Sequence, residues 1–285
     1  MTTAAETQPL PRRRVSPLTR AWAFVRRHTL TVVGVLALVY LMLPIVVVII
    51  FSFNDPAGRF NYTWEGFTTE HWRSPFGPPF LGDAVMTSIK VAVVATIVSV
   101  VLGTLVALAL VRYHFRGRGA TNLLIFVPLT APEIVLGASL LTLFLNLGTA
   151  LGFWTIVLAH IMFCISFVVV TVRARLVGFD RHVEEAAMDL GANEYVTFFR
   201  ITLPLIAPGI LAGALLAFSL SIDDFVITTF NSGTTTTFPL FVWSAAQRGV
   251  PAEVNVIGTM IFGVAIVLML ANVLWQYRRT PKGAA

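Results

Sequence analysis

The chain predicts an all-α membrane protein of six transmembrane helices, on three observations. Of its 285 residues, 56% are hydrophobic and 12% charged, against about 25% charged in a soluble domain. Apolar runs recur at lengths of about 20 residues or more, enough to cross a hydrocarbon layer about 30 Å thick. Arginines collect in alternate connecting segments, the pattern that marks cytoplasmic loops.

Residues 1–29, rich in Thr, Pro and Arg, read as a disordered basic cytoplasmic tail. The six-span domain covers 30–277, and 278–285 form a second cytoplasmic tail. The spans run Leu30 to Phe53, Ala84 to Val111, Thr121 to Leu147, Phe153 to Val172, Leu205 to Phe230 and Val254 to Tyr277. The first is not expected to be a cleaved leader, because its apolar run continues past Pro44 into Phe-Asn-Asp-Pro without a small-residue cleavage site. Arg12, Arg13, Arg14, Arg20, Arg26 and Arg27 precede it. Arg112, Arg116 and Arg118 separate the second and third spans, and Arg173, Arg175, Arg181 and Arg200 flank the loop after the fourth. Arg278, Arg279 and Lys282 close the chain, while the opposite side holds only Arg59, Arg73 and Arg248. Both termini and the 180–204 loop are therefore expected in the cytoplasm. This topology accounts for the net charge of +6 without nucleic acid. Between the first two spans, Tyr62, Trp64 and Trp72 suit a folded cap. After the fifth, the segment with Phe238, Pro239 and Trp243 is expected to dip toward the membrane and pack on the spans.

The 180–204 loop has its own logic. Asp180 can cap a helix beginning near Arg181, and Glu184 and Glu185 lie early in it, where carboxylates suit the positive end of the dipole. Ala187 and Gly191 share a face at i, i+4, which leaves room for a closely approaching partner. Gly191 can end this helix, and Asn193 can start a second, short one carrying Phe198, Phe199 and Ile201 toward something apolar. A helix-turn-helix knob results. An amphipathic helix lying on the lipid surface is disfavoured, since it wants basic flanks and bulky apolar residues.

Within the spans the exceptional residues are Glu133, Asp223, Asp224 and Lys90. An ionisable group in hydrocarbon costs at least about 2.5–3.5 kcal/mol, so such residues face a path or each other. Adjacent helix positions point about 100° apart, so one of Asp223 and Asp224 is expected to line the route while the other pairs, with Lys90 as a candidate. Pro128 and Pro132 should kink the helix at Glu133. Trp154, Phe225 and Trp243 are candidate aromatic neighbours for a cation. No arginine lies inside a span to receive an oxyanion.

Glu185, Ala186, Ala187, Gly191, Ile201, Leu203 and Pro204 together fill the pattern of the docking element that it resembles in ABC importer permeases. The segments APEIVLGASLLTLF, GFWTIVLAHIMFCISFVVVTV, SLSIDDFVITTF and PAEVNVIGT narrow the likeness. With them, the chain from Leu30 to Tyr277 resembles the PotC-type permease subunits of polyamine (spermidine and putrescine) ABC importers. The resemblance implies a type I ABC importer permease fold in a bacterial inner membrane, with a cytoplasmic coupling helix. Glu184, Glu185, Ala186, Ala187, Gly191, Ile201, Leu203 and Pro204 would couple to an ATPase, and Glu133, Asp223, Asp224, Phe225, Trp154 and Trp243 would line the substrate path. It also implies partners: an ABC ATPase homodimer carrying ATP and Mg, a second permease, and an extracytoplasmic solute-binding protein. Permeases for ferric iron, thiamine, sulfate and phosphonates share parts of these segments and stay open as alternatives.

The chain is not expected to be an enzyme or to hold a cofactor or metal of its own. Lys90 and Lys282 are its only lysines, and neither follows the glycine that a phosphate-cradling Walker A loop needs. His28, His71, His114, His160 and His182 are scattered without metal-ligand spacing, and Cys164 has no cysteine partner. A proton-coupled carrier is the rival, with the three carboxylates as proton sites, but it needs no docking loop. A purely structural anchor has no use for those carboxylates.

Overall fold

Hydrocarbon offers backbone groups no hydrogen bonds, so the apolar runs close theirs internally as helices. The computed structural model describes residues 17–178 and 180–279. In chain order the helices are α1 Pro17–Phe51, α2 Glu70–Arg73, α3 Leu81–Arg112, α4 Arg118–Thr130, α5 Glu133–Asn146, α6 Phe153–Val177, α7 His182–Asp189 and α8 Glu194–Thr197. A π-helical turn, Phe198–Thr202, leads into α9 Leu203–Ile222, followed by α10 Val226–Asn231, α11 Phe238–Arg248 and α12 Ala252–Arg279. Among the described residues, four helices are long and apolar enough to cross a membrane: His28–Phe51, Leu81–Arg112, Phe153–Val177 and Glu194–Ile222. The bent pair α4–α5 makes a fifth if it counts as one span.

The core is built on α6, which packs against α3, α9, α4 and α10. Phe163, Cys164, Val168, Val169 and Val172 on α6 meet Ala107 and Leu110 of α3, Ile206 and Ala217 of α9 and Ile227 of α10. Small residues let the backbones approach, the device that replaces hydrophobic drive between helices in lipid. A Cβ at Gly103 of α3 would lie 2.8 Å from Val168 Cγ1, and one at Gly209 of α9 would lie 2.7 Å from Arg175 Cβ. By contrast α1 packs mainly on α12 and leaves much of its apolar surface exposed.

The loop between α1 and α3 is folded, as its aromatics suggest. Phe53 stacks on Phe67 at 5.6 Å and on Trp72 at 5.2 Å. Asn54 ties the loop together, donating to Asn61 Oδ1 and the Thr63 carbonyl and accepting from the Glu65 backbone. His71 Nδ1 sits 3.0 Å from Glu253 Oε1, which fastens α2 to the start of α12.

Four expectations are corrected. Helix α1 starts at Pro17, so the part of the expected 1–29 tail from Pro17 onward is helical, and residues 1–16 lie outside the described residues. The third span is not one helix: Ala131 takes extended dihedrals before Pro132, whose ring disfavours the helical region at its predecessor, and α4 and α5 meet at 113°. The fifth span ends at Ile222 rather than Phe230, and at its other end it continues back without interruption to Glu194. Of the second tail, 278–279 belong to α12 and 280–285 lie outside the described residues.

The close packing of α3 on α6 is testable. Gly103→Ala forces Val168 to move and is expected to cost about 1–3 kcal/mol, the usual range for overpacking. Gly34→Ala, with nothing within 4 Å, is expected to cost nothing. Melting temperatures in detergent check this, and equal values for the two variants contradict the packing.

Candidate functional site

Two places on α9 hold the candidate residues, one at each end. At the first, the knob forms by local rules. Asp180 Oδ1 accepts the His182 backbone N–H at 3.0 Å and the His182 imidazole at 2.6 Å. Helix α7 therefore starts at His182, one residue later than Arg181. The hydrogen bonds from His182 hold the Asp180 carboxyl below its ordinary value of 3.8, and the Asp180 carboxylate in turn raises the His182 imidazole above 6.5. The lowered acid contributes fully above 3.8 and loses its contribution as pH falls below that; the raised base contributes fully below 6.5 and loses it as pH rises. Both groups are solvent-exposed, so salt weakens the pair. Gly191, with φ +91°, ends α7 in the left-handed region that a Cβ disfavours. Asn193 Oδ1 accepts the Val196 N–H at 2.9 Å and starts α8.

The knob's side chains divide into two sets. Glu185, Ala186, Met188, Leu190 and Tyr195 are exposed and Ala187 is half-buried. Glu184 is buried instead: its carboxylate accepts from Arg112 Nη2, at the end of α3, and from Thr202 Oγ1 in the π turn. Glu184 is thus a strut that ties the knob to α3 and to α9. Phe198 packs on the core, whereas Phe199 is exposed. Ile201 and Leu203 are half-buried, and Pro204 occupies the first turn of α9, directly after the π turn.

At the other end α9 stops, and Asp223, Asp224 and Phe225 join it to α10. Asp224 caps α10, with Oδ2 accepting the Thr228 N–H and the Thr228 hydroxyl, each at 2.7 Å, and Oδ1 accepting the Ile227 N–H at 3.4 Å. His160 of α6 brings Nε2 to 3.3 Å from Asp224 Oδ2. One aspartate pairs, as expected, but its partner is His160 and not Lys90; Lys90 is exposed and makes no ion pair with the described residues. Asp223 lines a cavity of about 410 Å³ with Phe225, Phe238, Pro239 and Trp243. The Phe225 and Trp243 rings lie 5.2 Å apart. Phe238 donates its backbone N–H to Ser88 Oγ of α3 at 2.9 Å, which seats α11 beside this cavity.

Of the expected path residues, the structure brings Asp223, Phe225 and Trp243 together around this cavity. Glu133 is exposed at the α4–α5 bend, and Trp154 is exposed at the start of α6, packed edge-on against Phe153 at 5.3 Å; neither lines this cavity. His160, Ser221 and Thr228 were not singled out by the sequence reading. A histidine mid-span is as exceptional as a carboxylate there, and that was the available signal. Arg112 was read only for its contribution to topology.

The comparisons follow this geometry. Residues 99–278 match the family model described as binding-protein-dependent transport system inner membrane component. The spermidine/putrescine transport system permease protein PotC of Escherichia coli (strain K12) is 41% identical over 236 residues, covering 82% of this chain and 89% of the relative. The putrescine transport system permease protein PotI of the same organism is 40% identical over 257 residues, covering 87% and 90%. In fold, the chain resembles a subunit of a bacterial ABC transporter involved in the import of the acidic polysaccharide alginate, with TM-score 0.63, 18% identity and coverage of 92% and 98%. It also resembles the MetNI methionine ABC transporter in inward-facing form, with TM-score 0.56, 15% identity and coverage of 71% and 97%. With the family model spanning more than half its length and relatives of about two-fifths identity spanning most of it, the chain belongs to the family of binding-protein-dependent transport system inner membrane components.

Proposed function

We propose that this chain is one of two permease subunits of an ATP-driven importer of polyamines and forms half of the translocation path. The observation that carries the cargo is the Asp223 cavity. A polyamine is a flexible methylene chain with separated ammonium groups. One carboxylate, two aromatic faces and otherwise apolar walls match such a chain part by part. About 410 Å³ falls in the range of small-molecule sites, roughly 300–1,000 Å³. Among the described residues, Asp223 is the one charged residue lining it, which favours a cation over sulfate or a phosphonate. The names of the similar PotC and PotI permeases agree with this cargo.

The bent pair α4–α5 serves as the third span and α12 as the sixth, with both termini and the knob in the cytoplasm. A homodimeric ATPase, which holds ATP and Mg, grips the exposed face of α7 and α8. A solute-binding protein delivers the cargo to the opposite side. When the ATPases close, the knob moves, and the continuous rod from Glu194 to Ile222 carries the motion to the joint at Asp223. The Glu184 strut obliges the end of α3 to move with it.

Three measurements test this reading. In vesicles holding the full complex, Asp223→Asn is expected to lower labelled putrescine and spermidine uptake about ten-fold or more, because a charge-assisted contact is worth about 1.5–3 kcal/mol. Glu133→Gln is expected to cost less, and Asp224→Asn to act through the joint, lowering complex yield as well; wild-type uptake in Asp223→Asn refutes the cargo site. Gly191→Val, strained at φ +91°, and Glu185→Lys are expected to uncouple ATP hydrolysis from uptake while the chain still inserts. Normal ATPase co-purification and normal uptake in both would remove the docking role. A reporter after Lys282 is expected to be active in the cytoplasm and one near Ala57 outside; an external C-terminus overturns the topology.

A further inference from the structure

The joint between α9 and α10 is held from both sides by a single ring. His160, 2% exposed on α6, places Nδ1 2.7 Å from Ser221 Oγ in the last turn of α9. Its Nε2 lies 3.0 Å from Thr228 Oγ1 in α10 and 3.3 Å from Asp224 Oδ2 in the joint. One consistent set of hydrogen-bond directions uses the tautomer that carries its proton on Nε2. The Thr228 hydroxyl donates to the Asp224 carboxylate, so its oxygen is left to accept from Nε2–H. A neutral ring protonated at Nε2 has a free lone pair at Nδ1, and the Ser221 hydroxyl donates to it. Ser221, Thr228 and His160 are all buried, so each of these bonds replaces one that hydrocarbon does not provide.

The consequence concerns the residues between the two anchor points. Asp223 and Phe225 line the cavity, and the segment that carries them lies between the two helices, tied to α10 by the Phe225 carbonyl, which accepts the Thr229 N–H at 2.9 Å. Its course is set by what holds Ser221 before it and Asp224 with Thr228 after it. Only a side chain with hydrogen-bonding atoms on two edges reaches both at once. An amide has its oxygen and nitrogen on one fork, and a phenyl ring keeps the shape but neither contact.

We propose that His160 is the positioning residue of the substrate cavity: by binding Ser221 on one side of the joint and Thr228 with Asp224 on the other, it aims Asp223 and Phe225 at the cargo. The proposal rests on the reading of the Asp223 cavity as the polyamine site. It makes His160 act through the joint rather than touch the cargo.

The test uses the full complex in vesicles and reads the polyamines moved per ATP hydrolysed, with labelled putrescine and spermidine. His160→Phe is expected to lower that ratio about ten-fold or more, the scale on which displaced groups lose function. Ser221→Ala and Thr228→Val are each expected to lower it by less, the double variant to match His160→Phe, and Ser221→Ala added to His160→Phe to change nothing further. A fall in assembled complex with an unchanged ratio overturns the proposal, because it shows a merely structural role. Should His160→Phe fail to assemble, the two milder variants decide: an unchanged ratio in both overturns it. Asp223→Asn, measured alongside, separates the two readings. Full uptake in that variant overturns the cavity and the proposal with it, whereas lost uptake there beside a normal ratio in the His160, Ser221 and Thr228 variants overturns the role of His160 alone.

Discussion

A helix that stops inside hydrocarbon leaves backbone groups without partners, so each interruption calls for side chains, neighbouring backbone or water to satisfy them. This constraint organises the molecule. The interruption after Ile222 is resolved by the Asp224 carboxylate from within and by His160 from α6. Because His160 is part of the buried core on α6, the joint inherits the rigidity of the best-packed helix. Asp223 is thereby mounted on a fixed base, which is what the proposed cargo site requires.

The other end of α9 obeys the opposite logic. The knob is open to solvent, its α7 leaves Glu185 and Leu190 exposed, and what fixes it is the Glu184 strut to Arg112 and Thr202. One charged cluster thus joins three elements: the knob, the end of α3 and the π turn. A π turn accommodates an extra residue in a helix without ending it, so the rod from Glu194 to Ile222 stays continuous while its first turns are wound differently. In the proposed mechanism, motion entering at the knob reaches the joint through this one helix.

These two ends differed in how far the sequence revealed them. The knob was legible because its rules are local: Gly191 stops a helix and Asn193 starts one through contacts three residues long. The break at Pro132 was legible as a weak point for the same reason, but its 113° angle was not, since it is set by how α5 packs on α10, where Gly137 lets Phe230 approach. The partner of Asp224 was hidden because His160 lies on another helix, 61 residues before Ser221 in the chain. Lys90 was the natural candidate by charge alone. Burial reversed that choice, because a long basic side chain is satisfied at an exposed position, whereas a buried carboxylate takes whatever donor the core already holds.

The division of labour between the two aspartates bears on selectivity for the proposed cargo. With the Asp224 side chain only 5% exposed and committed to α10, Asp223 is the aspartate of the two that lines the cavity. A polyamine has at least two ammonium groups, so the second must find its carboxylate outside the cavity, at Glu133 on the α4–α5 bend or on the second permease. The apolar and aromatic walls accept methylene chains of any length equally. Discrimination between a short and a long polyamine therefore cannot come from the cavity alone. Under the proposed reading it comes from the spacing between Asp223 and that second acid, or from the proposed solute-binding protein.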